Sequence, residues 1–254
     1  MPKRSADEYI QRWDRNAAKM AEYVSELGDR NKEVLLTPLV LDWLGDIRGQ
    51  EILDAGCGEG FLCRLMAERG AKVTGVDLSG EMLKIARQRT PPKLEIDYQL
   101  ANLENLSPFQ SNSFDTIVST LALQDVQDYQ AALQALHRVL RPGGGCFLAF
   151  SHPCFLSDGG WVRDQEGKKL HWKTDRYFLE RDVEMRLDPD SEDNPIGFHR
   201  TLSSYYRAIK LAGFIINDLI EPYPSPEAIE KHPNFKDDLR MCHFIVFDLE
   251  KENK

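Results

Sequence analysis

The chain has 254 residues, of which 42% are hydrophobic and 29% are charged, as is ordinary for a globular protein. This length fits one domain with insertions, or one domain with a small cap. The net charge of −9 argues against broad binding to a nucleic-acid backbone, so we expect a small-molecule partner and no nucleic acid. The sequence also lacks a long apolar span and an apolar leader, which predicts no membrane partner and a cytoplasmic location.

The five cysteines include no C-x-x-C pair. This usage favours reduced thiols over a disulfide framework or a zinc site, and we predict no metal site. Cys57 is interpreted as a small buried residue of a turn and not as a nucleophile.

The N-terminal segment is predicted to be helical. Apolar residues from Tyr9 to Leu27, including Trp13 and Val24, recur at helical spacing over residues 5 to 27. A turn at Gly28-Asp29 precedes a second helix, Lys32 to Leu44, which is interrupted or started near Pro38.

The stretch from Glu51 to Ser79 has the pattern of a strand, a turn, a helix and a second strand. Gly56, Gly58 and Gly60 allow a sharp turn and close approach to a ligand. Asp77 ends the second strand about 20 residues past the first glycine, where a carboxylate can accept hydrogen bonds from a ribose. The pattern predicts a nucleoside-binding βαβ unit.

The glycine spacing distinguishes between nucleoside ligands. A dinucleotide fingerprint is G-x-G-x-x-G, whereas here Phe61 stands where the third glycine of that fingerprint would fall. The pattern Asp54-Ala-Gly-Cys-Gly-Glu-Gly60 instead resembles motif I of the class I S-adenosylmethionine-dependent methyltransferases. Two other hypotheses stay open at this point: an NAD-linked oxidoreductase, and a nucleoside-binding regulatory protein without catalysis.

The following segments continue the alternation of helices and strands. Ser79 is a plausible N-cap for a helix that the Pro91-Pro92 pair closes. The remaining predicted elements are a strand over Leu94 to Leu100, a strand ending at Thr120, a helix over Ala131 to Leu140 closed by Arg141 to Gly145, and a strand over Cys146 to Phe150. The string HRVLRPGGG resembles the stretch that precedes the fifth strand in this methyltransferase family.

The C-terminal part begins with a segment that breaks the alternation. We interpret the irregular stretch after the fifth strand, with its acidic loop Asp188 to Pro195, as a lid over an acceptor pocket. A helix over Thr201 to Ala212, a strand over Phe214 to Ile220, a proline-rich link and a last strand over His243 to Leu249 follow.

The resemblance implies an α/β fold. We expect a Rossmann-like, seven-stranded, mostly parallel sheet with helices on both faces, an antiparallel terminal strand, and a lid insertion after strand five. Residues 1–254 would form a single methyltransferase domain. Its predicted parts are an N-terminal helical cap (1–48), a cofactor-binding core (49–151), the lid insertion (152–200) and the C-terminal completion of the sheet (201–254).

The resemblance also implies S-adenosylmethionine as the cofactor and assigns residues to it. Asp54 and the backbone at Gly56 would lie near the methionine amino group, Gly58 and Gly60 would also contact the cofactor, and Asp77 would bind the ribose. Asn102 departs from the family, which usually has an acidic residue there, although an amide oxygen can still accept a hydrogen bond from adenine. The other predicted cofactor contacts are Leu78, Met82, Leu103 and Thr120, with Tyr9 and Trp13 as walls.

Candidate acceptor-side residues follow the fourth and fifth strands. His152 is predicted as a catalytic base because its ordinary pKa is near 6.5. Asp125 is a second catalytic candidate, which could instead pair with the histidine, hold an amine substrate or cap a helix. Predicted substrate contacts are Gln124, Trp161, Trp172, His199, Tyr205 and Tyr206.

The predicted activity is transfer of a methyl group to an oxygen, nitrogen or sulfur atom of a small-molecule acceptor by in-line displacement. The four residues Ser119 to Ala122 lack the tetrad typical of DNA amino-methyltransferases. Pro153-Cys154 echoes cytosine-C5 enzymes in one dipeptide only. The sequence names neither the acceptor nor the oligomeric state.

Overall fold

Seven strands form the central sheet in the computed structural model, which describes residues 6–23, 31–156, 159–185 and 193–253. Their order is β10-β11-β5-β4-β1-β2-β3, and β11 runs antiparallel to both of its neighbours. The predicted Rossmann-like fold with its antiparallel terminal strand is confirmed. The strands of this sheet are β1 (Glu51–Ala55), β2 (Lys72–Asp77), β3 (Ile96–Leu100), β4 (Phe114–Thr120), β5 (Leu140–Ser151), β10 (Phe214–Ile220) and β11 (Phe244–Lys251).

Helices cover both faces of this sheet because successive strand residues point to opposite sides. Leu53 packs in one apolar cluster with residues of the helices over 129–139 and 202–211. Ile52 packs in a second cluster with the helices over 61–68 and 80–89. The helices are α1 (Ala6–Tyr23), α2 (Thr37–Leu44), α3 (Phe61–Glu68), α4 (Gly80–Arg89), α5 (Tyr129–Val139), α6 (Pro153–Leu156), α7 (Leu202–Leu211) and α8 (Pro226–Lys231).

The N-terminal segment is helical where it is described. A π-helical turn over Lys32–Leu36 leads into α2, with Pro38 in its first turn, as a helix start near that residue predicts. Predicted features at Val24, Leu27 and Gly28-Asp29 lie outside the described residues.

The segment after β5 differs from the irregular lid that the sequence predicts. Two antiparallel hairpins occupy it: β6 (Gly160–Arg163) with β7 (Lys169–Lys173), and β8 (Arg181–Glu184) with β9 (Ile196–His199). Main-chain pairing between these short segments orders the chain where the sequence shows no clear periodicity. We call residues 152–200 the insertion; most of its predicted acidic loop lies outside the described residues.

Two smaller boundaries were also wrong. Strand β5 begins at Leu140, before the Arg141 to Gly145 stretch, and within that stretch Gly145 pairs with Thr116 of β4 and with Glu250 of β11. The proline-rich link contains α8 and a 3₁₀ turn over Pro233–Leu239.

The parallel strands bring their carboxyl ends to one edge. Ala55 pairs with Val76, and Asp77 pairs with Leu100. The loops after β1, β2, β3 and β4 therefore meet there, which is where ligands bind in open α/β sheets. Within the described ranges, no helix combines the length and apolar character that crossing a membrane requires.

Candidate active site

A cavity of about 220 Å³ opens at this edge of the sheet. Its wall combines the loops after β1 to β4 with α1 and the π-helical turn. The sequence-predicted residues that line it are Tyr9, Trp13, Asp54, Gly56, Gly58, Asp77, Leu78, Met82, Asn102, Leu103, Thr120 and Asp125.

The glycine turn is shaped by main-chain bonds to β2. The amides of Gly56 and Cys57 both donate to the Val76 carbonyl at 2.9 Å. At Gly56 φ is +85°, and a Cβ would come 2.2 Å from that of Ala122. At Gly58 φ is +53°, and nothing lies within 4 Å of a Cβ position, so this glycine faces open space.

Gly60 has a different role from the other two glycines. It does not line the cavity, and a Cβ at this position would lie 2.3 Å from the Tyr98 hydroxyl. Gly60 therefore allows close packing behind the turn.

Asp77 connects the glycine turn to the start of α4. Its Oδ2 accepts from the Gly58 amide at 2.8 Å, and its Oδ1 accepts from the Ser79 amide at 2.9 Å. Burial raises the pKa of Asp77, and the amides of Ser79, Gly58 and Leu78 oppose that rise. Each carboxylate oxygen has a further lone pair, so the group can still accept hydrogen bonds from a ligand.

Asp54 is a buried carboxyl beside the turn. Burial raises its pKa to about 7, although the Cys63 thiol donates to its Oδ2 at 3.1 Å and opposes the rise. A cation entering the cavity would favour the ionised form of this group.

Asn102 forms a turn after β3. Its Oδ1 accepts from the Glu104 amide at 2.8 Å, and Glu104 in turn accepts from the Asp128 amide at 2.9 Å. Both side chains line the cavity, so the amide and a neighbouring carboxylate stand together where the resemblance implies an acidic residue.

Helix α1 closes one side of the cavity. Asp14 accepts from the Ser79 hydroxyl at 2.6 Å, which ties α1 to the start of α4. On the insertion side, the rings of Tyr9 and Phe198 lie 5.4 Å apart, and Asn16 donates to the Asp193 carbonyl at 2.7 Å.

The chain is similar to proteins of known family and structure. Residues 53–148 match the family described as a methyltransferase domain. An S-adenosylmethionine dependent methyltransferase from Mesorhizobium loti is 32% identical with a TM-score of 0.73, and the match covers 84% of this chain and 96% of that chain. The chain belongs to the class I S-adenosylmethionine-dependent methyltransferases.

Two further relatives agree with this family. A structure from Listeria monocytogenes, described as a candidate S-adenosylmethionine dependent methyltransferase, is 30% identical with a TM-score of 0.75 and is matched over 85% of this chain and 96% of that one. A ubiquinone biosynthesis O-methyltransferase of Xanthomonas oryzae pv. oryzae (strain PXO99A) is 38% identical over 118 residues, which is 45% of this chain and 49% of that protein. This methyltransferase thus spans about half the length of that curated relative.

The cavity of this methyltransferase fits its family's cofactor, S-adenosylmethionine. Gly58 leaves room above the turn, and Asp77 presents acceptor oxygens beside it. Asp54 offers a carboxyl for an ammonium group.

Asp125 is a partly exposed acid on the remaining side of the cavity. Its Oδ1 has no hydrogen-bond partner among the described residues, and burial raises its pKa well above the ordinary value. Strand β9 of the insertion lies over this group, because a Cβ on Gly197 would be 2.9 Å from Asp125 Oδ1. Asp125 thus adds a carboxyl to this side of the cavity, with its Oδ1 enclosed beneath β9.

His152 and Gln124 are buried but do not line the cavity. His152 Nε2 lies 2.8 Å from Glu221 Oε1, and burial lowers its pKa. Gln124 accepts from the Ser151 amide at 3.1 Å and donates to the Leu121 carbonyl at 3.0 Å, which joins the ends of β4 and β5. Both side chains are engaged within the protein, so the expectation that they face the acceptor is not supported.

The aromatic candidates of the insertion also lie away from the cavity. Trp161 and Trp172 pack edge to face with ring centres 5.6 Å apart, and Arg240 lies 4.6 Å from the Trp161 ring. His199 is buried, with its Nε2 2.6 Å from the Tyr177 carbonyl. These contacts serve the packing of the insertion.

The tyrosine pair of α7 divides between the core and the surface. Tyr205 is 1% exposed and packs 4.2 Å from the Phe150 ring, whereas Tyr206 is 49% exposed. The predicted substrate role of Tyr205 is corrected to a core role, because its side chain is enclosed by other rings.

Four residues with a place at or beside the site were missed by the sequence analysis. Lys32, Glu59 and Glu104 line the cavity. Arg200 lies outside it and donates a hydrogen bond to the carbonyl of Val126, which does line it. The E of the GCGEG turn offered a signal for Glu59, which forms ion pairs with Arg64 and Arg89. Lys32 and Arg200 carried no local motif.

Proposed function

We propose that this protein transfers a methyl group from S-adenosylmethionine to an oxygen atom of a small, uncharged acceptor. The observation that carries the proposal is one cavity with a glycine turn held by Asp77 on one side and the Asp125 carboxyl on the other, whose Oδ1 has no partner among the described residues. The first group suits a nucleoside, and the second suits removal of a proton.

Cofactor binding is proposed to use both acidic and basic side chains. Asp77 would accept from the ribose hydroxyls and Asp54 would take the methionine ammonium. Lys32 lines the same cavity and lowers the pKa of Asp54, so the two groups are close enough to interact. Because the amino and carboxylate groups of methionine share one carbon, Lys32 is the proposed partner of the carboxylate.

When bound, the cofactor supplies an activated methyl group on a sulfonium, so the protein itself must orient the acceptor and exclude water. Such positioning can supply about 7 to 11 kcal/mol of the barrier. Asp125 would accept the proton of the acceptor hydroxyl, a contribution of roughly 10² to 10⁴-fold in rate.

The acceptor class is proposed from charge and from one relative. The charged residues lining the cavity are Asp54, Glu59, Asp77, Glu104, Asp125 and Lys32, which disfavours an anionic acceptor. The Xanthomonas relative is named as an O-methyltransferase, which makes oxygen the first acceptor atom to test.

The test is incubation with methyl-labelled S-adenosylmethionine and fractionated metabolite extract, followed by mass identification of the labelled product. Asp77→Ala should weaken S-adenosylhomocysteine binding by about tenfold or more and reduce labelling accordingly, because two amides and the ribose lose their acceptor. Asp115→Ala is the matched control, since Asp115 accepts from the Glu51 amide at 2.8 Å but does not line the cavity.

Two results would overturn the proposal. One is cofactor binding without labelling of any extract component, which would favour a regulatory protein. The other is stabilisation against heat by NAD and not by S-adenosylhomocysteine, which would favour an oxidoreductase.

A further inference from the structure

Arg200 is a buried cation directly after strand β9, at the end of the insertion. Its side chain is surrounded by rings: the guanidinium carbon lies 4.2 Å from the Tyr129 ring centre and 4.8 Å from that of Phe198. The residue is only 6% exposed. A guanidinium held between rings in this way has little freedom to move.

The same guanidinium holds the loop that follows β4. Arg200 Nη2 donates to the Val126 carbonyl at 2.6 Å and to the Gln127 carbonyl at 3.0 Å. Val126 and Gln127 line the cavity together with Asp125, whereas Arg200 does not. Arg200 therefore fixes the main chain next to Asp125 from outside the cavity.

We propose that Arg200 is the residue that positions Asp125 for proton removal, by fixing the loop after β4 and joining it to strand β9 of the insertion. This inference rests on the proposed function of Asp125. It also gives the insertion a role in the chemistry, because Arg200 then fixes the position of Asp125 relative to β9.

The charges around Asp125 give a signature of this arrangement. Burial raises its pKa most strongly, Arg200 and Lys32 lower it, and Asp77 raises it. Tyr205 of α7 also faces this carboxyl. Removal of the guanidinium charge should therefore raise the pKa of Asp125 further and move the acidic limb of the pH-rate profile to higher pH.

The experiment compares Arg200→Met with Arg200→Lys. The methionine variant removes charge and hydrogen bonds, whereas the lysine variant keeps the charge and loses the forked donor. Arg138→Met is the matched control: Arg138 donates to the Phe109 carbonyl at 2.7 Å and to the Asn105 and Leu106 carbonyls at 3.0 Å, in a loop that does not line the cavity.

In Arg200→Met we expect kcat to fall about tenfold or more, because a misplaced base is costly. The KM for S-adenosylmethionine should stay within about twofold, since the cofactor groups are elsewhere. The pH midpoint should rise by on the order of one unit. Arg200→Lys should keep the parent midpoint with a reduced kcat, and Arg138→Met should keep both.

Carboxyl-carbon NMR titration of Asp125, assigned with Asp125→Asn, gives a readout that needs no turnover. An unchanged Asp125 midpoint in Arg200→Met, or an equal loss of kcat in Arg138→Met, would overturn the proposal. If the methionine variant does not fold, a parent-like kcat in Arg200→Lys overturns it instead. Absence of methyl transfer by the parent protein, with the titration shift intact, would count against the proposed function alone.

Discussion

The two sides of the cavity are built in different ways. On the cofactor side, Asp77 bonds to amides 19 residues and 2 residues away, and the glycine turn bonds to the adjacent strand. On the acceptor side, Asp125 depends on a loop whose carbonyls are held by a guanidinium 74 residues further along the chain. The cofactor side is therefore built by contacts within one βαβ unit. The acceptor side depends on packing of the insertion against the loop after β4.

The two sides also differ in the hydrogen bonding of their carboxyl oxygens. Both oxygens of Asp77 accept main-chain hydrogen bonds, whereas Asp125 Oδ1 is buried without a partner in the described part of the chain. A carboxylate whose oxygens accept main-chain hydrogen bonds stabilises the local backbone conformation. A buried oxygen without a hydrogen-bond partner is a candidate for a functional role. The predictions below test this division.

The largest effect is expected from Gly56→Ala on the cofactor side. The new methyl group would meet Ala122 Cβ at 2.2 Å in a backbone with φ of +85°. Binding of S-adenosylhomocysteine, measured by calorimetry, should weaken by about 100-fold or more, because clash and strain together cost several kcal/mol. Gly80→Ala is the control, since nothing lies within 4 Å of its Cβ position; equal affinities of the two variants would contradict the role given to the turn.

A smaller and selective effect is expected from Gly197→Ala on the acceptor side. Its Cβ would lie 2.9 Å from Asp125 Oδ1 and would occupy the space in front of the proposed base. Turnover should fall by roughly tenfold with unchanged affinity for S-adenosylhomocysteine. Gly160→Ala in β6 is the control because its Cβ position is open; weakened cofactor binding in Gly197→Ala would break the separation of the two sides.

A pH effect is expected from Asp54. Its pKa is about 7 in the folded protein, against 3.8 ordinarily, so the stability it contributes is full below about pH 4 and is lost as pH rises through 7. A bound ammonium would lower this pKa, so binding of S-adenosylmethionine near pH 6 should release up to about one proton. Calorimetry in two buffers of different ionisation enthalpy measures this release, and an unchanged release in Asp54→Asn would remove Asp54 from the ammonium site.

The smallest effect is expected from His152→Asn. The ring bonds to Glu221 and does not line the cavity, so we expect a loss of about 1 kcal/mol in stability and a change in kcat within twofold. Glu221→Gln should match it in a thermal unfolding series. A kcat reduced by 100-fold would return His152 to the position of catalytic base.

The division also explains what the sequence could predict. The seven-stranded sheet followed from the family resemblance, and Gly56, Gly58 and Asp77 followed from their spacing, because the glycine turn and the strand that ends at Asp77 form one βαβ unit. His152, Trp161 and Tyr205 were placed near the acceptor because they lie near strand ends or in the insertion. His152 bonds instead to Glu221 after β10, Trp161 packs against Arg240 before β11, and Tyr205 packs against rings of β5 and α5. No local pattern encodes those contacts.

Helix α1 joins the rest of the molecule differently from any strand of the sheet. Its contacts with α4 and the insertion described above are made through side chains, at Asp14, Tyr9 and Asn16. Breaking them leaves the β-ladder intact, so the compartment can open at a free-energy cost well below that of global unfolding. Ligands can therefore enter and leave the cavity without disruption of the central sheet that carries the binding residues.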